Sequence, residues 1–206
     1  MSRLPLAFSA IATALIAASL LSLPSFAANS ANSTDSAGHH GNHPAHEHGV
    51  GKLDVALEGN TLTLHLDTPL VNLVGFEHAA TSARDKETVQ AMAKALRDAG
   101  RMFATDAAAQ CKPAEIQLQS AVLPPALLGE KTASGAAQAA APNDGHADLD
   151  GDFTLVCASP GALNTVDASG LLRAFPGFQR IDVQLATPKK QAAFQLTPGN
   201  AAIPLN

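Results

Sequence analysis

The sequence predicts an α+β fold, a mainly antiparallel sheet with one long and one short helix packed on one face, behind a mobile His-rich N-terminal segment. Three observations carry this expectation. Two stretches of strict apolar/polar alternation flank a Gly59-Asn60 turn. One long segment with helical apolar spacing follows, from Ser82 to Phe103. The alternation then returns in further stretches, separated by Gly, Pro and Ser.

The chain opens with a segment that reads as a secretory signal, residues 1–27. Arg3 is its only charge, and residues 4–23 form an apolar run. Pro24 breaks the run, and Ser25-Phe26-Ala27 offers small residues at the −3 and −1 positions of a cleavage site. The competing reading is an uncleaved anchor, because the run is nearly long enough to span a bilayer. The run holds no cysteine for lipid attachment. Export would begin the mature chain near Ala28. Residues 28–49, rich in Ala, Asn, Ser, Gly and His, lack apolar periodicity and read as a mobile leader. Residues 50–206 read as a single domain with a flexible insertion near 129–147.

Each element of that domain has a local reason. In residues 52–58, Leu53, Val55 and Leu57 share one face, with Lys52, Asp54 and Glu58 opposite. In residues 61–67, Leu62, Leu64 and Leu66 repeat the pattern, with Thr63, His65 and Asp67 opposite. Such a pair around a two-residue turn predicts a hairpin with one buried and one wet face. Pro69 ends the second strand, and "LVNLVGFEHA" (residues 70–79) makes a compact apolar connection. Ser82 with Asp85 predicts a capped helix start. Val89, Met92, Leu96 and Phe103 mark its inner face, and Lys86, Glu87, Lys94, Arg97 and Asp98 its outer one, with Gly100 ending or bending it. Residues 115–122 and 152–158 alternate again. Residues 171–175 predict a short helix stopped by Pro176-Gly177. Residues 180–186 and 191–196 predict two last strands, joined by a turn at Pro188-Lys189-Lys190.

Composition removes several function classes. A net charge of −5 argues against nucleic acid or an anionic membrane surface as partner. Trp and Tyr are absent, which weakens any stacking platform. No zinc-protease helix motif, nucleophile elbow or glycine-rich phosphate loop occurs, so an enzyme is the least expected class. Cys111 and Cys157 both lie in the exported part, where two cysteines usually pair. A pair of thiolate metal ligands is the alternative, and it would need reduced thiols.

The chemistry concentrates in histidine. "HHGNHPAHEHG" (residues 39–49) holds five of the eight, His39, His40, His43, His46 and His48. Neutral imidazole donates a lone pair to zinc, copper or nickel. In an extended segment His46 and His48 point to one side and Glu47 away from them. The bland reading is a solvated low-complexity leader. Glu77-His78 is a second candidate, although a histidine after an apolar run is more often packed or capping than a ligand. His65 faces the wet side of its strand and reads as a surface histidine. In "HADLD", His146, Asp148 and Asp150 recur at every second residue, which fits either an imidazole-carboxylate site or a charged strand entry.

The motifs H-E-H-G (46–49), N-L-V-G-F-E-H (72–78) and F-P-G-F-x-R-I-D-V-Q (175–184), with "HADLDGDFTLVCASP", resemble the ZrgA family of zinc-regulated periplasmic proteins. The likeness runs from about His46 to the C-terminus. It implies a periplasmic zinc-binding protein, made under zinc limitation and working beside a zinc importer or its binding protein. It also implies site roles for His46, His48, Glu77, His78 and His146. Such proteins often carry a long His- and Asp-rich insertion; here "KTASGAAQAAAPNDGHADLD" (residues 131–150) is short and keeps only His146, which points away from a multi-zinc loop.

The sequence thus predicts zinc capture in support of uptake, with no nucleic-acid partner and no stable membrane association after signal cleavage. The alternatives are a structural or interaction domain with incidental histidines, and a copper or nickel buffer.

Overall fold

The computed structural model describes residues 47–130 and 147–206. The expected signal segment, nearly all of the leader and most of the insertion lie outside these residues, and so do His39, His40, His43, His46 and His146.

The hairpin forms as its alternation dictates. Strand β1 (Val50–Glu58) and strand β2 (Thr61–Pro69) pair antiparallel, with Leu53 opposite Leu66 and Val55 opposite Leu64. Pro69 ends β2 and caps α1 (Leu70–Val74), a short helix within the apolar connection. Helix α2 (Ala83–Leu96) starts at the predicted cap. Ser82 Oγ accepts from the Asp85 N–H at 3.1 Å, and Asp85 returns the bond to the Ser82 N–H at 3.3 Å. Its Val89, Met92, Ala93 and Leu96 are buried.

The helix ends earlier than the sequence suggests. Leu96 is its last residue, and Gly100 sits within a separate short helix, α3 (Ala99–Met102). Arg97, which the pattern places on a solvent face, is instead tied down. Its Nε donates to Leu128 O at 3.0 Å and its Nη1 to Ile116 O at 3.2 Å, and Nη2 pairs with Glu130. Glu130 also accepts from the Leu118 N–H at 2.8 Å. One guanidinium therefore links the end of α2 to strand β4 (Cys111–Gln119) and to the segment after it. A planar fork with several fixed donors can hold three partners at once where an ammonium cannot.

Strand β5 (Asp148–Cys157) pairs with both β2 and β4. The expected bridge is present, since Cys111 and Cys157 form a disulfide between directly opposed residues of β4 and β5. Helix α4 (Ser169–Ala174) is the expected short helix. Strands β7 (Arg180–Ala186) and β8 (Gln191–Leu196) close the main sheet, whose order is β4-β5-β2-β1-β7-β8. Every pairing in it is antiparallel except β1 with β7. Parallel neighbours need a long connection, and everything from β2 to α4 supplies it.

A three-stranded sheet of β3 (Ala104–Thr105), β6 (Thr165–Asp167) and β9 (Ala202–Pro204) has no counterpart in the sequence pattern. Strands of two or three residues are too short to show a period. The inner face of the main sheet joins the buried side chains of helices α1 to α4 in one core. Phe103 meets Phe153 edge to face within it, with ring centroids 5.1 Å apart.

Candidate metal centre

The three motif segments converge at one end of β1. Glu47, His48 and Gly49 lead into the strand and are held by two other segments, residues 72–77 and 179–180. The carboxylate of Glu47 pairs with Arg180, Oε2 lying 3.0 Å from Nη2. The Nε2 atom of His48 stands 3.0 Å from Glu77 Oε1. The Gly49 N–H donates to Asn72 Oδ1 at 2.7 Å, and the Gly49 carbonyl accepts from the N–H groups of Gln179 and Arg180 at 2.7 and 3.1 Å.

Local geometry explains why these residues meet. Gly75 ends α1 with φ at 83°, a left-handed conformation that glycine adopts without steric cost. The chain then turns, so Phe76, Glu77 and His78 leave the helix beside the incoming strand. Gly177 lies against the backbone of Asn72, where a Cβ would overlap the Asn72 carbonyl. The glycines of the second and third motifs are therefore the points where a left-handed turn and a close backbone approach are required.

His78 is oriented by its own surroundings. Its ring stacks on Phe76, with centroids 4.5 Å apart and planes 14° from parallel. Its Nδ1 lies 3.1 Å from Ala79 O. A carbonyl can only accept, so Nδ1 carries the hydrogen and the neutral ring keeps its lone pair on Nε2. Metal-binding histidines are commonly fixed in this manner, one ring nitrogen committed to a carbonyl or carboxylate.

The pair His48 and Glu77 offers two of the donor types that zinc takes, an imidazole nitrogen and a carboxylate oxygen, joined here through the hydrogen on Nε2. Zinc takes imidazole nitrogen and carboxylate oxygen at about 2.0 to 2.2 Å, so two ligands of one tetrahedral ion stand about 3.4 Å apart. The observed 3.0 Å is shorter, the separation of a direct imidazole–carboxylate pair, so an ion would displace the proton and part the two groups slightly. Among the described residues, no three His, Cys, Asp or Glu side chains are arranged to hold an ion. His78 follows Glu77 in sequence but turns its Nδ1 to Ala79 rather than to the pair.

The remaining candidates lie on the wet face of the main sheet. Asp148 and Asp150 alternate as expected, inside β5 rather than ahead of it, and Asp152 continues the row. The imidazole beside Asp150 and Asp152 is His65 of the neighbouring strand, which the sequence presents as a plain surface residue. Its Nδ1 is 2.8 Å from Asp152 Oδ1, and its Nε2 is 4.0 Å from Asp150 Oδ1. Burial of the ring lowers the pKa of His65. The hydrogen bond to Asp152 and the charges of Asp152, Asp150 and Asp54 outweigh that and leave it above its ordinary value. Asp150 is raised as well, first by burial and then by the charges of Asp67 and Asp152, with His65 pulling the other way. An open hollow of about 660 Å³ runs along this face, lined by His65, Asp152, Asp54 and Gln184 among others.

Neither Asn72 nor Arg180 suggests a site role from residue type and spacing alone. The extended segment expected around His48 is instead a turn over residues 47–50, with the Val50 N–H donating to the Glu47 carbonyl at 3.1 Å and Gly49 at a φ of 85°, and the Glu47 carboxylate is taken up by Arg180.

No curated protein matches this chain. A family model described as "ZrgA family zinc uptake protein" matches residues 45–205. That span takes in the H-E-H-G opening from its first residue and all three converging segments, so the chain belongs to the ZrgA family of zinc uptake proteins.

Proposed function

We propose that the protein is a periplasmic accessory factor that captures zinc at the His48–Glu77 pair and supports its delivery to an importer. The observation that carries this reading is the 3.0 Å approach of an imidazole and a carboxylate drawn from two separate motif segments. Zinc is cargo here, so a site open to solvent suits the task. His48 is about two-thirds exposed and Glu77 about one-third, which leaves the ion a short path in and out.

In this reading His48 and Glu77 supply two donors from the folded body. His46, two residues before His48, and His78, next to Glu77, bring the set to the four that zinc prefers. The other leader histidines, His39, His40 and His43, raise the local concentration of imidazole near the pair. His146 with Asp148 offers a further imidazole and carboxylate at the start of β5. His46, His146 and the leader histidines lie outside the described residues, and their part is an expectation of the sequence.

We read the protein as a binder rather than an enzyme, because the polar groups at the converging segments are of the kind that hold a cation, and the sequence carries no nucleophile motif. Periplasmic residence rests on the signal-like segment. Among the described residues, no helix is long and apolar enough to cross a membrane.

Calorimetric zinc titration of the processed protein tests the reading. The wild type is expected to bind zinc more tightly than a free peptide of residues 39–49, and His46→Ala/His48→Ala is expected to lose that advantage. Equal affinity in wild type and variant would remove the site.

A further inference from the structure

We infer that Asn72 is the positioning residue of the metal-binding pair, the group that brings His48 to Glu77. The inference rests on the zinc reading above and extends it to a side chain that touches no ion.

Thr68 and Asn72 are the buried polar residues of the described chain, at 0% and 3% exposure. A buried polar side chain costs free energy unless its hydrogen bonds are made. Asn72 makes them in one direction. Its Oδ1 accepts from the Gly49 N–H at 2.7 Å, and its Nδ2 donates to the Val50 carbonyl at 2.9 Å. The second Nδ2 hydrogen goes to Thr68 Oγ1 at 3.0 Å. Both long-range bonds thus end on the two residues that directly follow His48. The amide is held on a short helix whose C-terminal turn leads into Glu77 and His78. One primary amide spans the donor and the acceptor of an incoming backbone, so it fixes that backbone in both position and direction.

The alternative anchors hold the neighbouring backbone but do not refer it to Glu77. Arg180 and Gln179 fix Glu47 and the Gly49 carbonyl to the start of β7. Asn72 instead ties the His48 segment to the connection that carries the carboxylate. No isosteric apolar side chain can replace it. The exchange Asn72→Asp would lose both Nδ2 bonds and set a carboxylate oxygen against the Val50 carbonyl.

The test is a double-mutant cycle in zinc affinity on the processed protein, with His48→Ala, Asn72→Leu and the double variant. Asn72→Leu is expected to weaken zinc at least tenfold, with the double variant no weaker than His48→Ala alone. A merely structural role predicts the contrary, a loss of stability with independent effects on affinity. Asn72→Ser, too short to reach Gly49, replaces the leucine variant if circular dichroism shows that the latter does not fold. Amide hydrogen exchange at Gly49 without metal reports the docking directly, and its protection is expected to vanish in either variant. Retained protection, or unchanged affinity in the Asn72 variant beside a weakened His48→Ala, overturns the inference and leaves the zinc reading standing. Unchanged affinity in His48→Ala overturns the zinc reading itself, and with it the role given to Asn72.

Discussion

The ring of His48 and the carboxylate of Glu77 meet at 3.0 Å although one precedes the first strand and the other follows the first helix. On the zinc-capture proposal the carboxylate is a partner in binding. Glu77→Gln keeps the shape and removes the charge, so zinc affinity should fall by about tenfold or more, on the scale of lost metal-site partners. The same titration on Glu87→Gln, an exposed carboxylate of α2, should show no change.

Zinc and protons compete for the same imidazoles. Affinity should therefore fall as the pH is lowered from about 8 to about 5, and zinc binding should release protons. Titrations in two buffers of different ionisation enthalpy measure that release. Binding that is independent of pH would rule out imidazole ligands.

His65 should titrate above its ordinary value in the folded protein, since its partners on the sheet outweigh the cost of burial. A raised folded value stabilises the fold below the ring's unfolded value, and the contribution is lost as pH rises through the folded one. Asp152→Asn removes the closest partner. Its His65 signal in a proton NMR titration should move down toward the ordinary value. The stability gap to wild type should be larger at low pH than at high pH.

Much of the fold is legible in local pattern. The hairpin, the Ser82 cap, β7 and β8 follow from alternation, turn chemistry and capping, all of which act over a few residues. The parallel pairing of β1 with β7 is a contact between distant segments, and no period reports it. The same limit hides the His65–Asp152 pair, which depends on the register of β2 against β5. Asn72 is concealed differently, as a polar residue inside an apolar connection, where nothing local says which backbone it binds. The histidine motifs do not say which side chains meet, and only the three-way convergence shows Glu77 as the ion-pair partner of His48.

Arg97 should matter to stability in proportion to its three partners. Arg97→Ala is expected to cost about 2 kcal/mol, because Glu130 and the Ile116 and Leu128 carbonyls each lose a charged donor in a half-buried place. Arg97→Lys should recover only part of it, since an ammonium cannot reproduce the fork. Urea denaturation followed by circular dichroism checks both.

The disulfide closes a sequence separation of 46 residues that includes the insertion. Chain-entropy reasoning gives a stabilisation of about 2 to 4 kcal/mol for such a loop. Cys111→Ser/Cys157→Ser should lower the urea midpoint accordingly and leave zinc affinity intact, because the bridge lies on strands away from His48 and Glu77.

The most direct measurement of the central claim is anomalous diffraction at the zinc edge from crystals of the processed protein grown with zinc. An ion bonded to His48 and Glu77 at about 2.0 to 2.2 Å is the expected result. Zinc bound elsewhere on the domain, with that pair left bonded only to each other, would contradict it.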